Sequence, residues 1–147
     1  MRLLSILFSL IMCTSLSAGD IADATVALSS SEPTLRAIAA SELYTAGAES
    51  AGAIDTLIEH FTDTAYIEGA PLYILYASAV GNFGLTAAPK LVAPLESDNL
   101  QVVIAAATAL AEIGPAALPY VEDSLVKMLE GTDDDRKIVV ASIIQCT

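Results

Sequence analysis

From Leu100 to Leu129 the apolar positions fall at steps of three and four. Leu100, Val103, Ile104, Ala107, Leu110 and Ala111 take the spacing that lines one face of an α-helix. Gly114-Pro115 ends that pattern, because glycine permits a left-handed C-terminal cap and the following proline has no N–H to continue the helical ladder. Pro119 suits the first turn of a second helix, whose apolar stripe is Val121, Leu125, Met128 and Leu129. Ser97-Asp98-Asn99 supplies N-cap residues ahead of the first helix. The pattern predicts a helix–turn–helix unit in which two short helices fold against each other.

The same unit recurs along the chain. Ala77, Gly84 and Pro89 precede Ala107, Gly114 and Pro119 by a constant 30 positions. An earlier copy runs through Leu35, Arg36, Ala39, Ala40 and Leu43 to a turn at Gly47, 37 positions before Gly84. A later one starts at Arg136, with Ala141 and Ile144 lying 34 positions beyond Ala107 and Leu110. Helix pairs repeating at such spacings predict an all-α fold, an α-solenoid in which each pair buries its apolar face against its neighbours. About three pairs and an incomplete fourth are expected, over 33–65, 70–97, 98–131 and 132–147.

The run Ala105-Ala106-Ala107, Leu110, Ile113-Gly114-Pro115, Ala117 and Pro119 resembles the short HEAT-like repeats also found in phycobilisome lyases. The first copy matches through Leu35-Arg36, Ala39-Ala40, Leu43 and Gly47. The resemblance implies an armadillo-like helical superhelix whose second helices offer a concave protein-binding surface. Here that surface would carry Asp55, Glu59, Lys90, Glu122, Asp123 and Lys127. HEAT-like chains often stack a loop Asp against an Arg of the next first helix, forming a ladder. The matching column here is Arg36, Tyr73, Val103 and Lys137, with cations only at its ends, so stacking is expected to rest on apolar packing and helix capping.

Ahead of the repeats, residues 1–18 read as a secretory signal peptide: Arg2 gives a positive start, Leu3 to Cys13 is apolar, and small residues follow. That run is shorter than the roughly 20 residues that span a bilayer. Met12 before Cys13 is bulkier than lipoprotein processing takes. Cleavage after Ala18 or Gly19 would export the remainder, to a periplasm or beyond. Residues 19–32 are then an N-terminal arm or capping helix, with Asp20 and Asp23 favourable in a first turn. Ser29 to Pro33 punctuates the entry to the repeats.

Two stretches depart from the repeating pattern. Tyr66, Tyr73, Tyr76 and Phe83 cluster in the second unit, where rings either fill the gaps between repeats or form a contact surface. At the C-terminus Ile138, Val139, Val140, Ala141, Ile143 and Ile144 surround nearly the whole circumference of a helix. A terminal repeat ordinarily turns a polar face outward. A longer natural chain would cover this helix, and so would a homodimer paired through it. In the second case Cys146, the sole cysteine after leader removal, is placed for an intermolecular disulfide in an oxidising compartment.

Charge narrows the function. Eighteen Asp and Glu against six Lys and Arg give a net charge of −12, which repels phosphate backbones and anionic membrane surfaces alike. Nucleic-acid binding and membrane association after leader removal are therefore not expected. His60 is the only histidine, so a multi-histidine metal centre is out of reach, and Glu59-His60 alone leaves a divalent metal mostly uncoordinated. Thr132-Asp133-Asp134-Asp135 lacks the spaced ligands, bend glycine and terminal glutamate of an EF-hand loop, and serves instead to cap the next helix. No P-loop or dinucleotide fingerprint is present. The expectation is an exported, non-catalytic scaffold without cofactor or metal that binds a basic or polar protein. The competing expectation is an enzyme accessory related to bilin lyases, or the N-terminal part of a longer exported enzyme.

Overall fold

The computed structural model describes residues 17–146, with side chains for 17–145. Residues 1–16, most of the stretch read as a signal peptide, lie outside them. The described residues are mostly helical: α1 (Ala18–Ala27), α2 (Pro33–Ala46), α3 (Ile54–Glu59), α4 (Leu72–Gly81), α5 (Val92–Leu95), α6 (Leu100–Ile113), α7 (Leu118–Glu130) and α8 (Asp134–Cys146). Short 3-10 turns join them at Gly47–Ala53, His60–Thr62, Gly84–Thr86, Ala88–Leu91 and Pro115–Ala117.

Each boundary has a local cause. Ser17 accepts a hydrogen bond from the Asp20 N–H while the Asp20 carboxylate accepts from the Ser17 N–H, a reciprocal cap that starts α1. Asn99 accepts from the Gln101 N–H to start α6. Asp133 accepts from the Asp135 and Arg136 N–H groups to start α8, so the acidic cluster is a helix cap as its sequence suggests. Gly114 adopts φ 85°, a conformation that L side chains disfavour, and with the Pro115–Ala117 turn it bends the path from α6 into α7 by 114°.

The first helices of successive units form one packed row: α1 on α2, α2 on α4, α4 on α6 and α6 on α8. The second helices lie along the row, α3 against α4 and α5 against both α6 and α7. The expected hairpin of α6 and α7 opens at its corner, and α7 takes α5 and α8 as principal neighbours. A second difference follows on α7. Val121, Leu125 and Met128 are buried as the stripe predicts, but Leu129 is exposed and Ser124 is buried in its stead, donating to the Glu96 carboxylate at 3.1 Å.

Alanine and glycine set the spacing of the row. Ala77, Ala79 and Val80 of α4 and Ala105, Ala106 and Ala109 of α6 are buried at the α4–α6 crossing. A Cβ placed on Gly81 would come within 2.7 Å of Glu112 Cβ and 3.0 Å of the Ala109 carbonyl oxygen, so only glycine fits this approach. Ser78 Oγ donates to Glu112 at 2.6 Å across the same contact.

One element was not anticipated. Tyr66–Ile67 (β1) pairs antiparallel with Ala70–Pro71 (β2) around a two-residue turn in which Glu68 and Gly69 both have positive φ. This small hairpin leads into α4 and leaves Tyr66 exposed, whereas Tyr76 and Phe83 are buried among the helices.

Candidate functional site

The most connected polar group of the described chain is Asp63, which follows the 3-10 turn ending α3. Arg36, in the first turns of α2, meets it in a two-pronged ion pair, Nε to Oδ2 at 2.8 Å and Nη2 to Oδ1 at 3.2 Å. The Tyr76 hydroxyl donates to Oδ2 at 2.8 Å and the Ala65 N–H donates to Oδ1 at 2.9 Å. Arg36 Nη1 reaches back to the carbonyls of Ser30 and Ser31 at 2.8 and 3.2 Å. From the next unit, Gln101 Nε2 donates to the carbonyls of Phe61 and Asp63 at 2.7 and 3.2 Å. Three successive first helices therefore converge on one loop.

The electrostatics follow from that geometry. Burial pushes the Asp63 carboxyl upward, but the bonds from Arg36, Ala65 and Tyr76 outweigh it and hold the group below its ordinary value. Burial and the Asp63 carboxylate both push the Tyr76 phenol well above its usual range. Hydrogen bonding to Asp63 raises Arg36 further.

This network corrects the column read from the sequence. The polar contacts to the preceding loop come from Arg36, Gln101 and Arg136, and Arg136 Nη2 donates to the Ser97 carbonyl at 2.6 Å. Val103 is buried in the core. Lys137 faces Asp134 of its own turn at 3.6 Å. In the second unit Tyr76, one turn beyond Tyr73, joins the network. The contacts between helices and loops are thus polar but not in one repeating register, with glutamine and tyrosine where an arginine was sought.

The six residues expected on the second-helix surface divide. Asp55 and Lys90 meet at 2.5 Å, and Lys127 meets Glu96 at 2.8 Å, so both cations tie one second helix to the next. Lys127 holds the Glu96 carboxyl below its ordinary value, and Glu96 raises Lys127 in turn. Glu122 and Asp123 are exposed on α7 and form no ion pair. Glu59 is exposed at the end of α3 beside His60, at the rim of a shallow cavity of about 340 Å³. Cys146 closes α8, and its side chain, to which the disulfide expectation belongs, is outside those described.

That cavity is lined by Leu28, Ser29 and Ser30 beyond the end of α1, by Glu59, His60 and Thr62 at the end of α3, and by Arg36 and Asp63. His60 Nδ1 donates to the Thr56 carbonyl at 2.8 Å, and its ring stands edge-on to Tyr76 with centroids 5.7 Å apart. A second depression, about 370 Å³ and largely apolar, runs between α6 and α8 past Ile104, Ala107, Ile138 and Ile143.

Among the described residues no three His, Cys, Asp or Glu side chains gather as a metal site would require, and no single helix is long and apolar enough to cross a membrane. The five described cations, Arg36, Lys90, Lys127, Arg136 and Lys137, each pair with a carboxylate of this chain. No family model, curated protein or solved structure matches this chain.

Proposed function

We propose that the chain is an exported, non-catalytic α-solenoid of HEAT-like repeats that binds a basic or polar protein surface. The observation that carries the reading is the complete internal pairing of the described cations, which leaves the remaining carboxylates, most of them exposed, without an ion-pair partner among the described residues. A partner that supplies Lys or Arg gains from that field both in association rate and in selectivity. The row of first helices, with Gln101 and Arg136 each reaching back to a loop one unit earlier, and the ion pairs between successive second helices support the repeat reading. Such a row presents an extended surface, which suits binding more than enclosed chemistry.

Within that surface Glu122 and Asp123 are the exposed acids expected to meet the partner. Titration with a Lys-rich helical peptide at low salt tests this. Glu122→Lys with Asp123→Lys should weaken binding by at least about tenfold and leave the helical circular-dichroism signal unchanged. Undiminished binding by the double variant would remove this surface from the reading.

A further inference from the structure

We propose that the cavity between the ends of α1 and α3 is a receptor for one cationic side chain, a lysine ammonium or arginine guanidinium presented by the partner. The inference rests on the protein-binding reading and gives that partner a specific anchor.

The hydrogen-bonding inventory of the cavity points to the ligand. Asp63 already accepts four bonds, from Arg36 twice, Tyr76 and Ala65, and has no lone pair left to offer. Arg36 has four contacts of its own, to Asp63 and to the Ser30 and Ser31 carbonyls, so it is not placed to seize an anion. Besides the Ser29 and Ser30 hydroxyls, which can also donate, what remains unused accepts hydrogen bonds. The Glu59 carboxylate has no hydrogen-bond or ion-pair partner. Because His60 Nδ1 must donate to the Thr56 carbonyl, the neutral ring keeps its lone pair on Nε2. The free capacity of the cavity therefore consists mainly of acceptors, matched by a group that brings several N–H donors and a positive charge.

The surrounding backbone favours the same sign. Both α1 and α3 end here, and the negative end of a helix dipole attracts cations. Arg36 demonstrates the preference internally: its guanidinium settles at the end of α1 against the Ser30 and Ser31 carbonyls. No second cation of the described chain is available for Glu59, since the other four are held by Asp55, Glu96, Asp133 and Asp134. A volume of about 340 Å³ open to solvent accommodates one side-chain head with its stem leading out to a partner.

The test uses N-acetyl-arginine amide and N-acetyl-lysine amide with the isotope-labelled full chain, followed by amide chemical shifts. Saturable millimolar binding that moves the amides of Ser29, Ser30, Glu59, His60 and Asp63 above all others is the expected result. Glu59→Gln should weaken it about fivefold, and Glu130→Gln, which removes the same charge from the far end of α7, should leave it unchanged. Equal effects of the two substitutions, or shifts spread evenly over exposed carboxylates, would overturn the proposal, as would no saturable shift at all. The basic helical peptide separates this failure from that of the wider reading. Peptide binding that ignores Glu59→Gln removes the anchor and leaves the interaction surface. Cavity binding of the two amides without any peptide binding does the reverse.

Discussion

Two junctions in this molecule use the same device at different depths. Near the N-terminus, Arg36 at the start of a first helix reaches back to the Ser30 and Ser31 carbonyls and pairs with Asp63. Near the C-terminus, Arg136 reaches back to the Ser97 carbonyl and pairs with Asp133. Asp63 is 12% exposed and holds three side-chain and backbone donors, whereas Asp133 is 51% exposed and spends its other oxygen on capping α8. A cation of similar role thus belongs to a closed network in one place and to a solvated helix cap in the other. Burial, rather than the presence of an ion pair, decides how much each contributes, since a partly buried pair that loses one member leaves the other desolvated and unanswered.

Removing the inner carboxylate should have the largest consequence. Asp63→Ala strands Arg36 and the Tyr76 hydroxyl, and a loss of about 3 kcal/mol in urea unfolding is expected. A loss no greater than that of the outer variants would erase the distinction between the junctions. The pH dependence should follow the same carboxylate. Because Asp63 titrates below its ordinary 3.8 when folded, its contribution is complete above that value and disappears as pH falls through the lower folded value. At the other extreme, Tyr76 is raised above 10.0, so its contribution is full below that pH and fades as pH climbs past it. Stability profiles of the parent and of Asp63→Ala should therefore diverge least in strong acid, and a constant gap down to pH 2 would contradict this assignment.

At the outer junction, Arg136→Ala should cost about 1 kcal/mol, the size of one hydrogen bond to a carbonyl with its exposed ion pair. Smaller still is Lys127→Ala, whose partner Glu96 is solvated. Its urea midpoint should coincide with that of the parent, and a clear shift would mean that the pairs between second helices carry more than their exposure implies.

The parts of this fold that could be read from the sequence are those with local causes. Gly114, Pro119, Asn99 and Asp133 mark helix ends because caps and turns are decided within a few residues. Val121, Leu125 and Met128 were legible because their period is local too. The ladder's register was not, since which first-turn side chain meets the preceding loop depends on the angle at each corner. In the stacked units Gln101 rather than Val103, and Arg136 rather than Lys137, makes that contact. Ser124 could displace Leu129 from the interior only because Glu96, 28 positions earlier, lies beside it. For the same reason the acidic candidates were found as residues but not as contacts: pairing of Asp55 with Lys90 and of Glu96 with Lys127 is a property of the stacked units. The hairpin at Glu68-Gly69 carried a turn signal, yet two-residue strands are too short to show a period.

The full engagement of Arg36, Lys90, Lys127, Arg136 and Lys137 also bears on how the chain meets trypsin-like proteases. Trypsin-like enzymes must draw a Lys or Arg side chain into their own acidic pocket, and every such side chain among the described residues is already held by a carboxylate. Attack should begin at Lys137, whose carboxylate partner Asp134 is 92% exposed. Arg36, locked beneath Ser30 and Asp63, should be cut only after the N-terminal helices have come apart.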